Sequence, residues 1–158
     1  MAGNFHLDSL DKRILNILLK DARVPFLEVA RQCGVSGAAI HQRVHKMIEE
    51  KVISGSQFNI RPQGLNYNTC AFVGVQVNLT RKTTHQEVFQ QINEIPEVVE
   101  CHHITGKYSL LLKMYTRSNE HLKEILVEKV QSILEVTGTE TFISLEEGFS
   151  RQLPVENE

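Results

Sequence analysis

Apolar positions recur along this chain with two different periods, and the change from one to the other divides it. Up to about residue 50 they fall three and four apart, the spacing of a helix face. Between Leu7 and Lys20, Leu10, Ile14, Ile17 and Leu18 form one stripe that Leu15 and Leu19 widen, which predicts a helix contacted on more than one side. Asp8 and Asp11 stand at its start, where the helix dipole favours negative charge. Phe26 to Ile48 predicts two short helices joined by a tight, glycine-containing turn. The second of these, about Ser36 to Glu50, turns Ile40, Val44, Met47 and Ile48 inward. Val52 to Phe58 then alternates as a short strand placed to form a wing, so the outline is a winged helix-turn-helix.

Past Arg61-Pro62-Gln63-Gly64 the pattern changes. Thr69 to Leu79 sets Ala71, Val73, Val75, Val77 and Leu79 on one face at period two, a strand rich in β-branched residues. Thr84 and Glu87 read as a capping box opening a helix with Val88, Ile92 and Ile95 on its stripe, stopped by Pro96. Two strand-like runs follow, Val98 to Ile104 and Tyr108 to Tyr115, around the hairpin signal Thr105-Gly106-Lys107. Ser118 is placed to cap a second helix that buries Leu122, Ile125, Leu126, Val130 and Ile133, and Thr139 to Leu145 is strand-like. The order β-α-β-β-α-β is that of a ferredoxin-like unit, and the class is α+β. The expected organisation is a winged helix-turn-helix over residues 1–62, the βαββαβ unit over 63–150 and a loose acidic tail over 151–158. The sheet face opposite the helices is expected to carry Phe72, Cys101, Leu111 and Phe142, an apolar patch that a second copy would cover.

The outward face of the second short helix is small near its start and polar or cationic further on, which suits entry into a DNA major groove by its N-terminal end. Its residues Ser36, Ala38, Ala39, His41, Gln42, Arg43, His45 and Lys46 form the candidate DNA contact, which ends before the outward Glu49. Gln42 can read adenine bidentately and the methyls of Ala38 and Ala39 can meet thymine methyls. Arg43, Lys46 and the histidines are cast as phosphate contacts. The same face would serve an ordinary solvated bundle helix, and the neighbouring helices favour DNA.

Charge supports that division. The net charge is −2, but residues 1–62 carry nine Lys/Arg against six Asp/Glu, and the rest carries eight against thirteen. A basic part joined to an acidic one fits a DNA-binding module attached to something else, and a surplus of +3 per copy calls for more than one copy on DNA. The start lacks the apolar core of a signal peptide and no apolar run is long enough for a membrane span, so a cytoplasmic protein without a membrane partner is expected. Cys33, Cys70 and Cys101 are too few and too far apart for a disulfide framework or a zinc motif and read as buried thiols. His41 and His45 lie one turn apart but lack acidic or cysteine partners, and His102 and His103 point to opposite faces of a strand, so no metal and no cofactor are expected. No phosphate loop or nucleophile elbow stands in the chain, and no catalytic residue is assigned.

The phrases LDSLDKRIL, VARQCGVS, IHQRVHKM, VISGSQFNIRPQGLNY, ITGKYSLLLKM and TGTETFISL, in this order, resemble the Lrp/AsnC family of feast/famine transcriptional regulators over roughly residues 7–148. The resemblance implies double-stranded DNA with pseudo-palindromic sites as a partner, homodimers that assemble further into octamers, and control by small amino acids. The leucine-responsive branch tends to carry Gly-Asp-Tyr-Asp at the hairpin, where this chain has Gly106-Lys107-Tyr108-Ser109. The Tyr-Ser pair, the helix phrase and Thr139-Glu140-Thr141 are similar to the asparagine-responsive branch, which makes asparagine the favoured effector. By resemblance the pocket lies between dimers and takes Thr105, Gly106, Lys107, Tyr108 and Ser109 with Gln131, Thr139, Glu140 and Thr141 from a neighbour. Glu140 is the natural partner for an ammonium unless Lys107 occupies it, and the alternative is an ordinary hairpin with Lys107 in solvent. Where the family commonly has glycine after the DNA-reading helix this chain has Lys51, which costs about 1 kcal/mol if that backbone is left-handed. Three functions stay open: an amino-acid-responsive regulator, a DNA organiser with a vestigial effector site, and a small enzyme on the ferredoxin-like unit.

Overall fold

A computed structural model describes residues 5–79 and 84–156. The chain divides into two compact units, Met1–Asn59 with Phe149–Glu158, and Ile60–Gly148.

The first unit is three helices: α1 (Ser9–Lys20), α2 (Phe26–Cys33) and α3 (Gly37–Glu49). α1 opens on a capping box in which the Asp11 N–H donates to Asp8 Oδ1 at 2.8 Å and the Asp8 N–H donates to Asp11 Oδ2 at 3.2 Å. α2 ends on Gly34, whose left-handed φ of 72° makes the sharp turn into α3, and the Ser36 hydroxyl caps α3 by accepting from the Ala39 N–H at 3.2 Å. Ile14, Val29, Ile40 and Met47 meet in the core and are fully buried. Ile48, expected inward, is 49% exposed, because the stripe of Ile40, Val44 and Met47 already fills the contact. The wing strand does not form: Val52 and Ile53 donate their N–H groups to Met47 O, closing the end of α3, and residues 54–60 carry no regular structure. A strand needs a ladder partner, and none stands beside this segment among the described residues of the unit. Lys51, where that closing turn occurs, has φ 59°, the left-handed backbone that favours glycine. The tail was expected to be loose; instead Val155 packs on the helical core and its carbonyl accepts from Asn16 Nδ2 at 3.2 Å.

The second unit follows a short 3-10 turn at Pro62–Leu65 and runs β1 (Thr69–Val77), α4 (His85–Asn93), β2 (Val98–His103), β3 (Leu110–Thr116), α5 (Asn119–Ile125) and β4 (Val136–Ser144). The sheet is antiparallel with order β2-β3-β1-β4, the ferredoxin-like arrangement. Thr84 and Glu87 make the expected capping box on α4, and the Ser118 hydroxyl caps α5. Beyond Ile125 the helix widens into a π-type turn, with the Gln131 N–H donating to Leu126 O at 2.8 Å. Ala71, Val73, Val75, Leu110, Leu112 and Met114 point from β1 and β3 into the core beneath Val88, Ile92, Leu122 and Ile125. Cys101 departs from expectation: it pairs with Leu112 and packs with this core, so the outer face keeps Phe72, Leu111 and Phe142 without it. β4 begins at Val136, before Gly138, because a register shift between Gln76 and Val77 lets the pairing continue past the glycine.

Candidate nucleic-acid interface and effector site

Helix α3 turns three residues inward and leaves Ser36, Ala38, His41, Gln42, His45 and Lys46 exposed, with Ala39 partly so. Gln42 projects from the middle of that face and bonds to no described residue, so both faces of its carboxamide are free for a base edge. Three neighbours are held from the side. The His41 ring meets Phe26 at 4.6 Å, Lys46 Nζ lies 5.0 Å from the centre of the Phe5 ring, and His45 Nε2 stands 3.3 Å from Glu49 Oε1. Ser36 is engaged in the cap.

Arg43 takes a different direction from the one expected of a phosphate contact. Its Nη1 donates to Asp8 Oδ2 at 2.6 Å and to Asp11 Oδ1 at 2.8 Å, tying α3 to the head of α1. Asp11 is only 4% exposed. Asp8 is held below the usual carboxylate range by the Asp11 N–H first and by the Arg43 guanidinium next. The sequence marks Asp8 and Asp11 as helix-start carboxylates, but nothing in it joins them to an arginine on another helix. Nor does the sequence signal the role of Arg13, whose Nη2 donates to Gln32 O at 2.9 Å, joining α1 to the end of α2.

In the second unit, the hairpin between β2 and β3 closes with the Ile104 N–H on Ser109 O at 3.0 Å, through Gly106 at φ 112°. Ser109 is anchored to the end of β1: its N–H donates to Val75 O at 2.9 Å and its hydroxyl accepts from the Val77 N–H at 3.4 Å. Lys107 Nζ donates to Glu140 Oε2 at 2.7 Å and lies 4.9 Å from the centre of the Tyr108 ring. Both charged side chains are open to solvent, at 66% and 45% exposure. The Tyr108 ring covers Gly74, and its hydroxyl is buried without a partner among the described residues.

The remaining effector candidates lie elsewhere. Along β4, Glu140 pairs with Gly74 on the outer face, whereas Thr139 and Thr141 pair with Val75 and Val73 and share the helix-facing side. Gln131 Nε2 donates to Thr139 Oγ1 at 2.8 Å on that side. One chain therefore presents two polar clusters, Lys107-Tyr108-Glu140 on the outer face and Gln131-Thr139-Thr141 on the inner one, with Thr105 exposed at the hairpin tip. A groove of about 400 Å³ lies away from both, between α4 and β2, lined by Gln86, Phe89, Gln90 and Cys101 among others.

Residues 7–48 match the model of the AsnC-type helix-turn-helix domain, and residues 70–153 match that of the Lrp/AsnC ligand binding domain. The chain belongs to the Lrp/AsnC family. It is 37% identical over 148 residues to the regulatory protein AsnC of Haemophilus influenzae, covering 94% of this chain and 97% of that one. The structure of Escherichia coli AsnC superposes with a TM-score of 0.86 at 33% identity, over 95% of this chain and 99% of that one. The fold is also that of the feast or famine regulatory protein of M. tuberculosis complexed with L-methionine, at TM-score 0.87, 24% identity and coverage of 96% and 100%. This family member is thus a transcriptional regulator with a helix-turn-helix and a ligand-binding domain. Among the described residues no helix is long and apolar enough to cross a membrane.

Proposed function

We propose that this regulator binds pseudo-palindromic DNA in a sequence-specific manner through α3 and that a small amino acid, with asparagine favoured, changes its assembly or its DNA affinity. It acts in the cytoplasm as a homodimer that assembles towards an octamer, and carries out no catalysis. Gln42, the methyls of Ala38 and Ala39, the Lys46 ammonium and the side chains of the histidines are the groups offered to bases and phosphates.

The observation that carries the effector reading is the Lys107–Glu140 pair beside Tyr108. A free amino acid is a zwitterion, and an exposed lysine and glutamate 2.7 Å apart offer one partner for its carboxylate and one for its ammonium. A carboxamide side chain matches the donor and acceptor chemistry of the Gln131–Thr139 pair. Because those clusters face opposite sides of one sheet, a pocket that uses both draws them from two copies. The fold neighbour from M. tuberculosis was solved with L-methionine, in keeping with an amino acid as ligand class. Dimerisation is assigned to the outer sheet face, where Phe72, Leu111 and Phe142 line up and Phe142 is 50% exposed.

A second reading rests on the same pair: Lys107 and Glu140 already satisfy one another without a ligand, as an organiser with a vestigial site would have them. Thermal unfolding against each of the twenty amino acids separates the two. A ligand at 100 times its dissociation constant stabilises by about 2.7 kcal/mol. A rise of the midpoint with asparagine supports the effector reading, and a flat panel supports the organiser.

A further inference from the structure

Resting on the proposed reading of α3 as the helix that contacts DNA, we infer that Arg43 is a positioning residue for recognition: bound to Asp8 and Asp11 at the head of α1, it sets the rotation of α3 about its own axis and makes no phosphate contact.

The geometry is that of a clamp. One nitrogen, Nη1, donates to two carboxylates that belong to the same capping box, so the three side chains form one closed unit across two helices. Asp11 is buried, and a buried carboxylate needs a partner to keep its charge. The cluster of two carboxylates and one guanidinium carries a net charge of −1, so it offers phosphate no attraction.

The clamp acts where apolar packing is weakest as a constraint. Ile40, Val44 and Met47 hold α3 down, but hydrophobic contact is non-directional and leaves rotation about the helix axis soft. Arg43 sits on the flank between the exposed Gln42 and the buried Val44, where a directional, charge-assisted bond opposes rotation in either sense. With side-chain tips about 5–6 Å from the axis, a roll of roughly 10° displaces Gln42 by about 1 Å, enough to break a bidentate contact with a base. Phosphate contacts tolerate such a shift better, since they are numerous and independent of sequence.

The test uses two duplexes, one selected by the wild-type protein from a random-sequence pool and its scrambled counterpart, each titrated over a range of salt. Selection of a duplex by the wild type establishes DNA binding separately from the role of Arg43. Asp8→Asn keeps an oxygen for the Asp11 N–H and so retains the cap while removing one charge of the clamp. Both Asp8→Asn and Arg43→Gln are expected to lower the ratio of selected to scrambled affinity about tenfold. For Arg43→Gln the slope of affinity against salt stays unchanged. Arg43→Lys, which keeps the charge and a donor, restores part of the ratio. An equal loss on both duplexes in Arg43→Gln, with the salt slope reduced by about 1, would make Arg43 a phosphate contact and overturn the inference. So would an unchanged ratio in Asp8→Asn, which also decides the matter if Arg43→Gln does not fold.

Discussion

Tyr108 packs its ring on Gly74 so closely that a methyl group at Gly74 would stand 2.6 Å from Tyr108 Cδ2. Gly74 lies mid-strand in β1, between Leu111 of β3 and Glu140 of β4, and the missing side chain is the space the ring occupies. Gly74→Ala is therefore expected to displace Tyr108 and to destabilise the second unit by about 1–3 kcal/mol, measured by denaturant unfolding. In a Tyr108→Ala background the same substitution should cost much less. Additive losses would show that the ring is not what the methyl meets.

Lys51 holds a left-handed conformation at φ 59° where it ends α3. Lys51→Gly relieves that strain and is expected to stabilise the helical unit by about 1 kcal/mol, raising its melting temperature by several degrees. Lys51→Ala, which keeps a Cβ, should not show the gain.

Acid should weaken the helical unit through groups whose folded pKa lies below its ordinary value. Asp8 is lowered by the Asp11 N–H and Arg43, and Glu28 is lowered to about 2 by hydrogen bonds from Arg31 and Gln32. A depressed folded pKa means stability that is complete above the unfolded value, 4.5 for Glu28, and is lost as pH falls towards 2. Urea unfolding of wild type and Asp8→Asn should therefore differ at pH 6 and converge as the pH falls below about 4. A gap that stays constant would mean that the Asp8 charge adds nothing to the fold.

The thiols should be sluggish. Burial pushes the Cys70 and Cys101 thiols up, and Cys33 is buried in the helical core. Thiolate is the reactive form, so all three should label more slowly at pH 7.5 than cysteine in a denatured sample. Rapid labelling of Cys101 in the folded protein would contradict its place on the core side of β2.

Gln42→Ala is expected to relax sequence preference while leaving affinity for scrambled DNA intact, in a competition binding assay. An equal loss on all sequences would remove its base-reading role.

Elements whose signals are local could be read from the chain. The caps at Thr84 and Ser118 and the inward sets of α4 and β1 follow from bonds spanning three or four residues or from side-chain period. The wing failed for the opposite reason. Alternation in Val52 to Phe58 records a capacity for strand, and a strand exists only where a partner offers a ladder. Gly74 left a trace as a glycine inside a strand pattern, which marks a close approach, but nothing local names Tyr108 as the group that approaches.

By itself the sequence determined the three helices of the first unit, the strand and helix order of the second, the family, and the set of polar residues available for DNA and ligand, because periodicity, caps and phrase order are properties of neighbouring residues. Tertiary structure alone decided how those residues are spent. It turned Arg43 from solvent to Asp8 and Asp11, 35 and 32 residues away, and paired Lys107 with Glu140 across 33 residues. It also set Gln131 and Glu140 on opposite sides of the sheet. A cation takes the nearest carboxylate in space, and which carboxylate is nearest is settled only when helices and strands have packed.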